Sequence, residues 1–176
     1  MNSEIKSPGK FAVNYGVILG LILVVIYALM YATNMLIEGT QWPMVLYYII
    51  FPAYLIYAIG QFKKLNNNFL TLSDALKVGV AAAVISGLVY AVFSIILFYV
   101  IDTELMNKMM EVAKEKLYEN PNMTSEMVES SMSMMEQFSG PIFGSAIWIA
   151  LSALFGLIYS LIGGMVMKKE SQELHR

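Results

Sequence analysis

The stretch FAVNYGVILGLILVVIYALMYATNMLI, residues 11–37, contains no Asp, Glu, Lys, Arg or His over 27 consecutive positions. Three further stretches share this property, at residues 42–60, 78–101 and 141–167. A membrane-spanning helix needs about 20 predominantly apolar residues to cross a hydrocarbon core of about 30 Å. We therefore predict four transmembrane spans with these bounds, in a single membrane domain that covers residues 1–176.

The composition agrees with an integral membrane protein. Hydrophobic residues make up 58% of the chain and charged residues 14%, against roughly 25% charged residues in soluble domains. The first span follows Lys6 and Lys10, as a signal peptide would, but it is much longer than an apolar signal region of about 7 to 15 residues. We expect it to be retained. The chain has no cysteine, which excludes disulfides, thiol catalysis and Cys-ligated metals.

The basic residues predict an orientation. Eight of the 11 Lys and Arg residues lie on one side of the predicted spans: Lys6, Lys10, Lys63, Lys64, Lys77, Lys168, Lys169 and Arg176. The other three lie in residues 102–140 with eight acidic residues, which gives that segment a net charge of −5. The positive-inside rule therefore predicts that both termini are cytoplasmic and that residues 102–140 are external.

The external segment has two amphipathic patterns separated by Asn120, Pro121 and Asn122, which are typical turn residues. The first pattern has Leu105, Met109 and Val112 on one face; in the second, Thr124 is a helix cap and the apolar face holds Val128, Met132, Met135 and Phe138. These patterns predict an antiparallel helical hairpin that extends spans three and four outward by roughly 20 to 27 Å. The predicted fold is all-α: an integral membrane four-helix bundle with an extramembrane hairpin between spans three and four.

Two shorter connections complete this topology. Only EGTQ, residues 38–41, separates the first two spans, so we predict a tight antiparallel turn there. The loop before span three ends in SDAL, in which Ser73 is the predicted N-cap.

Small residues recur along the predicted spans at helical spacing. Such stripes let helix backbones approach closely in a membrane, where water does not drive association. We interpret them as internal packing surfaces of the bundle, and the alternative is that one stripe makes a homodimer. The predicted helix-packing residues are Gly16, Gly20, Gly79, Ala83, Gly87, Ala91, Ser152, Gly156, Ser160 and Gly164.

Tyrosines predict a pocket near the external side. Tyr27, Tyr31 and Asn34 share one face of span one, and Tyr47 and Tyr54 share a face of span two that also includes Phe51. Pro52 adds a potential kink in span two. Together these residues predict a polar-aromatic pocket for a lipid headgroup or an isoprenoid phosphate sugar. The simpler alternative is interfacial anchoring with hydrogen bonds between helices.

Eight of the 14 methionines fall within residues 102–140. Thioethers bind Cu(I), but such a site needs about three converging sulfurs, usually with His or Cys, and this segment has neither. Methionine is also an adaptable apolar filler and is common at binding surfaces. We therefore predict hairpin packing and no metal site, with Met106, Met110 and Met134 as candidates for contact with a partner.

Five motifs occur in a recognisable order: FAVNYGVILGLI, LTLSDALKVGV, YVIDTELMNKMMEVAKEKL, NMTSEMVESSMSMMEQF and SGPIFGSAIW. In this order and over essentially the whole chain they resemble the bacterial four-span membrane protein family of unknown function DUF4199. The resemblance implies an inner-membrane protein without an assigned activity. It supplies no catalytic residues.

The functional prediction follows from what the sequence contains and lacks. It has no nucleotide-binding loop, metalloprotease motif or basic nucleic-acid patch, and its one histidine, His175, lies in a polar tail. We expect no enzyme activity, no cofactor and no nucleic-acid partner. The leading hypothesis is a structural or accessory protein of the bacterial inner membrane, whose acidic, Met-rich hairpin binds a membrane or envelope protein or a second copy. The alternative is transport or binding of a small hydrophobic or lipid-linked molecule.

Overall fold

The computed structural model of the protein describes residues 7–169. Lys6, His175 and Arg176, which entered the predictions above, lie outside this range. Within it the chain forms six α-helices and no strand, apart from an isolated bridge between Leu70 and Lys169. The helices are α1 (Pro8–Ala32), α2 (Trp42–Leu65), α3 (Leu72–Ile96), α4 (Leu105–Glu119), α5 (Ser125–Phe138) and α6 (Pro141–Met167).

Four of these helices are long and apolar enough to cross a membrane: α1, α2, α6, and α3 together with the π-helical turn Leu97–Ile101 that continues it. Their outer surfaces carry large apolar side chains, among them Leu29 and Val92, each of which has 60% of its surface exposed. Such a surface is unfavourable in water and is expected for helices that face lipid. The predicted all-α fold, with four long apolar helices and a hairpin between the third and fourth, is confirmed.

Helix α3 occupies the centre of the bundle, where small residues at its contacts with α1 and α6 let these helices approach closely. A Cβ atom placed at Gly20 of α1 would lie 2.6 Å from the Val89 Cβ of α3. A Cβ placed at Gly156 of α6 would lie 2.5 Å from the Ala83 Cβ of α3. Both glycines therefore stand where any larger side chain would push the helices apart.

The first connection is longer than predicted. Helix α1 ends at Ala32 and turns occupy residues 33–39, so the predicted tight turn at residues 38–41 is wrong. Asn34, directly after the C-cap Thr33, adopts a left-handed backbone conformation with φ of 60°, which ends α1 within an apolar run. Gly39 adopts a second left-handed conformation, with φ of 66°, shortly before α2. The apolar run does continue into the core, because Leu36 is buried.

Helices α2 and α3 extend beyond their predicted spans into polar sequence at the end of the bundle opposite the hairpin. The N-cap of α3 is Thr71, not the predicted Ser73: the Thr71 Oγ1 accepts a hydrogen bond from the Asp74 backbone N–H at 3.1 Å. Lys63 donates to the Met167 carbonyl oxygen at 2.8 Å, which joins the ends of α2 and α6. Basic residues of separate helices thus gather at one end of the bundle, which we call the basic end.

The two helices and the turn of the hairpin lie where the sequence predicts them, but α4 does not continue in the direction of α3. The turn at Asn120–Asn122 and the cap at Thr124 are confirmed, since the Thr124 Oγ1 accepts from the Met127 backbone N–H at 3.3 Å. However, Lys116, in the last turn of α4, donates to the Glu38 carbonyl oxygen in the α1–α2 connection. Helix α4 therefore leans across the end of the bundle, and the predicted upright extension of span three is wrong.

Candidate ligand cavity

The hairpin partly covers an open cavity of about 490 Å³ at its end of the bundle, which we call the hairpin cavity. Helix α4 forms its cover with Met106, Met109, Met110 and Ala113, which share one helical face by their spacing of three and four residues. The remaining lining comes from the other helices and the α5–α6 connection: Tyr27, Tyr90, Ser94, Phe98, Met135, Phe138, Ser139, Gly140, Pro141, Gly144, Ser145 and Trp148.

Two polar groups of α6, on residues that line the hairpin cavity, have no hydrogen-bond partner in the part of the chain that the structure describes. They are the Ser145 hydroxyl and the Trp148 indole N–H, and both atoms are buried. A helical serine commonly satisfies its hydroxyl at the carbonyl one turn earlier, as Ser160 does by donating to the Gly156 carbonyl at 2.5 Å. Ser145 does not do so, and its Oγ is buried without a partner in the described part of the chain, so a molecule in the cavity bonds to it only after neighbouring side chains move.

Aromatic rings hold Trp148 in place. Its ring centroid lies 5.4 Å from that of Tyr90, and Tyr90 in turn lies 5.2 Å from Tyr27 in an edge-to-face arrangement. These separations are typical of favourable aromatic pairs. The indole therefore packs between Tyr90 of α3 and Tyr47 of α2, and its N–H is buried.

A second cavity of about 360 Å³ lies between α2 and α6 and shares Trp148 with the first. Its lining includes Tyr47, whose hydroxyl lies 3.2 Å from the Ser86 Oγ of α3. Phe51 lines it as well, next to Pro52, which lacks the N–H that would bond the Tyr48 carbonyl one turn earlier. Trp148 thus stands between two cavities, of which only the first is also lined by Ser145.

The six residues predicted for one pocket are distributed over different places. Tyr27 lines the hairpin cavity, and Tyr47 lines the second cavity. The Tyr31 hydroxyl donates to Asp102 Oδ2 at 3.4 Å, and Asn34 is exposed in the α1–α2 connection. Pro52 and Tyr54 line neither cavity; the Tyr54 ring packs instead near Tyr15 and Tyr57. The predicted faces of α1 and α2 do not meet because each is directed mainly towards α3 or α6.

The methionines divide into two groups. Met106, Met109, Met110 and Met135 line the hairpin cavity, so Met106 and Met110 take part in its cover. Met134 lies on the outside of α5 with 63% of its surface exposed, alongside the exposed Met127 and Phe138. Within residues 7–169, no three His, Cys, Asp or Glu side chains are grouped as a metal site would require.

The ten predicted helix-packing residues are all buried. Gly16 and Gly20 face α3, whereas Gly79 and Gly87 of α3 face Ser160 and Ser152 of α6. The stripes of α3 and α6 therefore meet one another within the chain, whereas the glycines of α1 meet Ile85 and Val89 of α3.

Asp102 organises the junction between α3 and the hairpin. Its backbone N–H donates to the Leu97 carbonyl at 2.9 Å and ends the π-helical turn. Its carboxylate accepts from Tyr31, from the Glu104 backbone N–H at 3.2 Å and from Lys108 at 3.3 Å. A single carboxylate thus ties α1, the junction and the first turn of α4 together.

Sequence reasoning missed Ser145 and Trp148 as site residues. They lie three positions apart in SGPIFGSAIW, so they share one face of α6, and Trp148 is the only tryptophan in the fourth span. That spacing was a usable signal. What it does not reveal is that both donors lack partners, since this depends on the packing of α3 and α4.

The fold and this cavity define a class: an all-α membrane protein with a bundle of four long apolar helices and a hairpin that covers a cavity at one end. Residues 14–169 match the family model described as "Protein of unknown function (DUF4199)". The match covers most of the chain, so the protein belongs to this family. Comparisons with curated proteins and with solved structures found no match.

Proposed function

We propose that this protein binds a hydrophobic molecule in the hairpin cavity, in a binding and not a catalytic role. One observation carries the proposal: Ser145 and Trp148 line this cavity, and the Ser145 hydroxyl and the Trp148 indole N–H are buried without partners in the described part of the chain. Leaving such a group unpaired costs about 1–3 kcal/mol. A bound molecule with a hydrogen-bond acceptor removes that cost.

The lining supports a ligand with an apolar body. Methionines and aromatic rings form most of the cavity wall, and methionine adapts its shape to different apolar partners. The volume of about 490 Å³ lies within the range of about 300–1,000 Å³ found for small-molecule sites. A cavity of this kind with a few placed polar groups is a typical binding site.

Gly144 offers a direct test, because it lines the cavity and a Cβ there meets no atom within 4 Å. Gly144→Leu should fill part of the cavity without disturbing the fold. The matched control is Ala146→Leu, at an exposed position outside the lining on the same helix. We expect native mass spectrometry after mild extraction to detect a retained small molecule on wild type and Ala146→Leu, but not on Gly144→Leu. Equal retention by all three would contradict the proposal.

A second candidate function is contact with another membrane or envelope protein, or with a second copy of the chain. It is favoured by the exposed apolar stripe of α5, in which Met127 and Met134 have 49% and 63% of their surfaces exposed. A homodimer would use this stripe, because the small-residue stripes are occupied within the chain. Met134→Lys should then abolish a dimer or co-purifying protein, whereas Glu129→Lys on the same helix should not.

For the location we propose the bacterial inner membrane with both termini cytoplasmic and the hairpin outside. Support comes from the acidic hairpin and from the lysines at the basic end. The sequence has no cysteine. In Ser133→Cys, in the hairpin, and in Ser73→Cys, at the basic end, the introduced thiol is therefore the one group that a maleimide labels. A membrane-impermeant maleimide added to spheroplasts should label only the Ser133→Cys variant. Labelling of only the Ser73→Cys variant would show the opposite orientation, with the hairpin in the cytoplasm, and would contradict the proposed location.

A further inference from the structure

We infer that the hairpin cavity binds the polar end of a neutral lipid that presents carbonyl oxygens, such as the esters of an acylglycerol or the ring carbonyls of a quinone. This inference rests on the proposed binding function and narrows its ligand. Acylglycerol and quinone share the relevant chemistry, which is an uncharged carbonyl on an apolar body. Three observations support the inference: two hydrogen-bond donors have no partner in the described part of the chain, no lining side chain is charged, and aromatic and methionine side chains form the cavity wall.

The unpaired atoms require an acceptor. An indole N–H can only donate a hydrogen bond, so the partner of Trp148 Nε1 must be an acceptor oxygen or nitrogen. The Ser145 hydroxyl stands one helical turn earlier on the same face of α6 and donates equally well. Two neighbouring donors suit a carbonyl oxygen, which has two lone pairs, or two carbonyls on one ligand.

Among the described residues, the lining has no charged side chain that would pair with a charged headgroup. None of the described residues that line the hairpin cavity is Lys, Arg, His, Asp or Glu. A phosphate or carboxylate there would have only the partial positive charge of the α6 N-terminus, which Gly140 and Pro141 bring into the lining, and an ammonium would have no counter-charge. Lys108, a nearby cation, is paired with Asp102 at 3.3 Å and is not in the lining. A lipid-linked phosphate sugar is therefore disfavoured inside this cavity.

The wall suits a flat or branched polar end. Tyr27, Tyr90 and Trp148 supply aromatic surfaces on one side, and Met106, Met109 and Met110 supply thioethers on the other. Thioethers make favourable contacts with both aromatic rings and aliphatic chains. A cavity of about 490 Å³ holds a quinone ring or a glycerol ester end but not two full acyl chains, so we place the remaining chains outside it.

The test uses purified, delipidated full-length protein in detergent and four probes: dioctanoylglycerol, a short-chain quinone, dioctanoylphosphatidic acid and hexadecane. We expect at least one of the two neutral carbonyl probes to bind, and phosphatidic acid and hexadecane to bind at least tenfold more weakly. The carbonyl probe that binds more tightly identifies the source of the carbonyl. Phosphatidic acid or hexadecane binding as tightly as the better carbonyl probe would overturn the inference, although the cavity would still be a binding site.

Ser145→Ala provides the second arm. It removes one hydroxyl and leaves the cavity wall intact, so we expect the affinity for the carbonyl probe to fall about five- to tenfold. Ser160→Ala is the matched control, since Ser160 is a buried serine of α6 that bonds to the Gly156 carbonyl and does not line the cavity. Unchanged affinity in Ser145→Ala would overturn the inference.

Different results would contradict the proposed binding function and the inferred preference for neutral carbonyl lipids. Without ligand, Ser145→Ala should be at least as thermally stable as wild type, because the lost hydroxyl had no partner. This separates a binding defect from a folding defect. If no probe binds and Gly144→Leu changes nothing, the proposed function itself fails. If molecules are retained but carbonyl probes are not preferred, only the present inference fails.

Discussion

At the scale of single residues, two glycines of the membrane helices have opposite roles. Gly20 lies at the closest approach of α1 and α3, where an added Cβ would be 2.6 Å from the Val89 Cβ. Gly144 lies at the hairpin cavity, where an added Cβ meets no atom within 4 Å. One glycine permits packing, whereas the other leaves space.

This contrast predicts opposite effects of the same substitution. Gly20→Ala should destabilise the protein by about 1–3 kcal/mol, because overpacking forces α1 away from α3. Gly144→Ala should be neutral or slightly stabilising, since alanine favours a helix over glycine by about 1 kcal/mol. Unfolding of both variants in detergent, followed by circular dichroism, measures the difference. Equal effects of the two substitutions would mean that the α1–α3 contact is not tight.

Spacing in the sequence predicted which residues are small and on one face, but not which helix they meet. A four-residue repeat defines a helical face from the chain alone. The neighbour of that face depends on the arrangement of all four long helices. Whether the Ser145 hydroxyl and the Trp148 indole N–H find hydrogen-bond partners also depends on this arrangement of the helices. The sequence alone therefore could not predict that they have none in the described part of the chain.

At the scale of elements, the hairpin is held over the bundle at two points. One is the Asp102 carboxylate, with Tyr31 and Lys108 as partners, and the other is Lys116, which donates to the Glu38 carbonyl. The helices themselves were predictable from their apolar faces and turn residues. Their direction was not, because the Lys116–Glu38 contact joins residues 78 positions apart.

Loss of the Asp102 charge should loosen α4. We expect Asp102→Asn to weaken the pair with Lys108 and to raise hydrogen exchange of the α4 amides about three- to tenfold, since such a partly exposed pair contributes about 1 kcal/mol. Glu111→Gln, at an exposed position of the same helix, is the control. Exchange in α4 that is the same in both variants would show that Asp102 does not hold the cover in place.

At the scale of the whole molecule, charge-free runs were sufficient to predict an all-α protein with four long apolar helices. They were sufficient because a membrane requires every backbone polar group to be bonded within the helix, and this leaves a simple compositional signal. The hairpin cavity carries no such signal. It arises where α4 leans over α1, α3 and α6, and so it is a property of the complete fold.

The central claim is that the Trp148 indole N–H becomes hydrogen-bonded to a ligand in the hairpin cavity. Trp42 is the only other tryptophan and is 60% exposed, so Trp42→Phe leaves Trp148 as a single reporter. The resonance Raman band of the indole N–H reports its hydrogen bonding directly. We predict a weakly bonded indole in delipidated protein and a strongly bonded one after addition of a neutral carbonyl lipid, with no change in the Gly144→Leu background. An indole band that does not respond to the lipid would contradict the account.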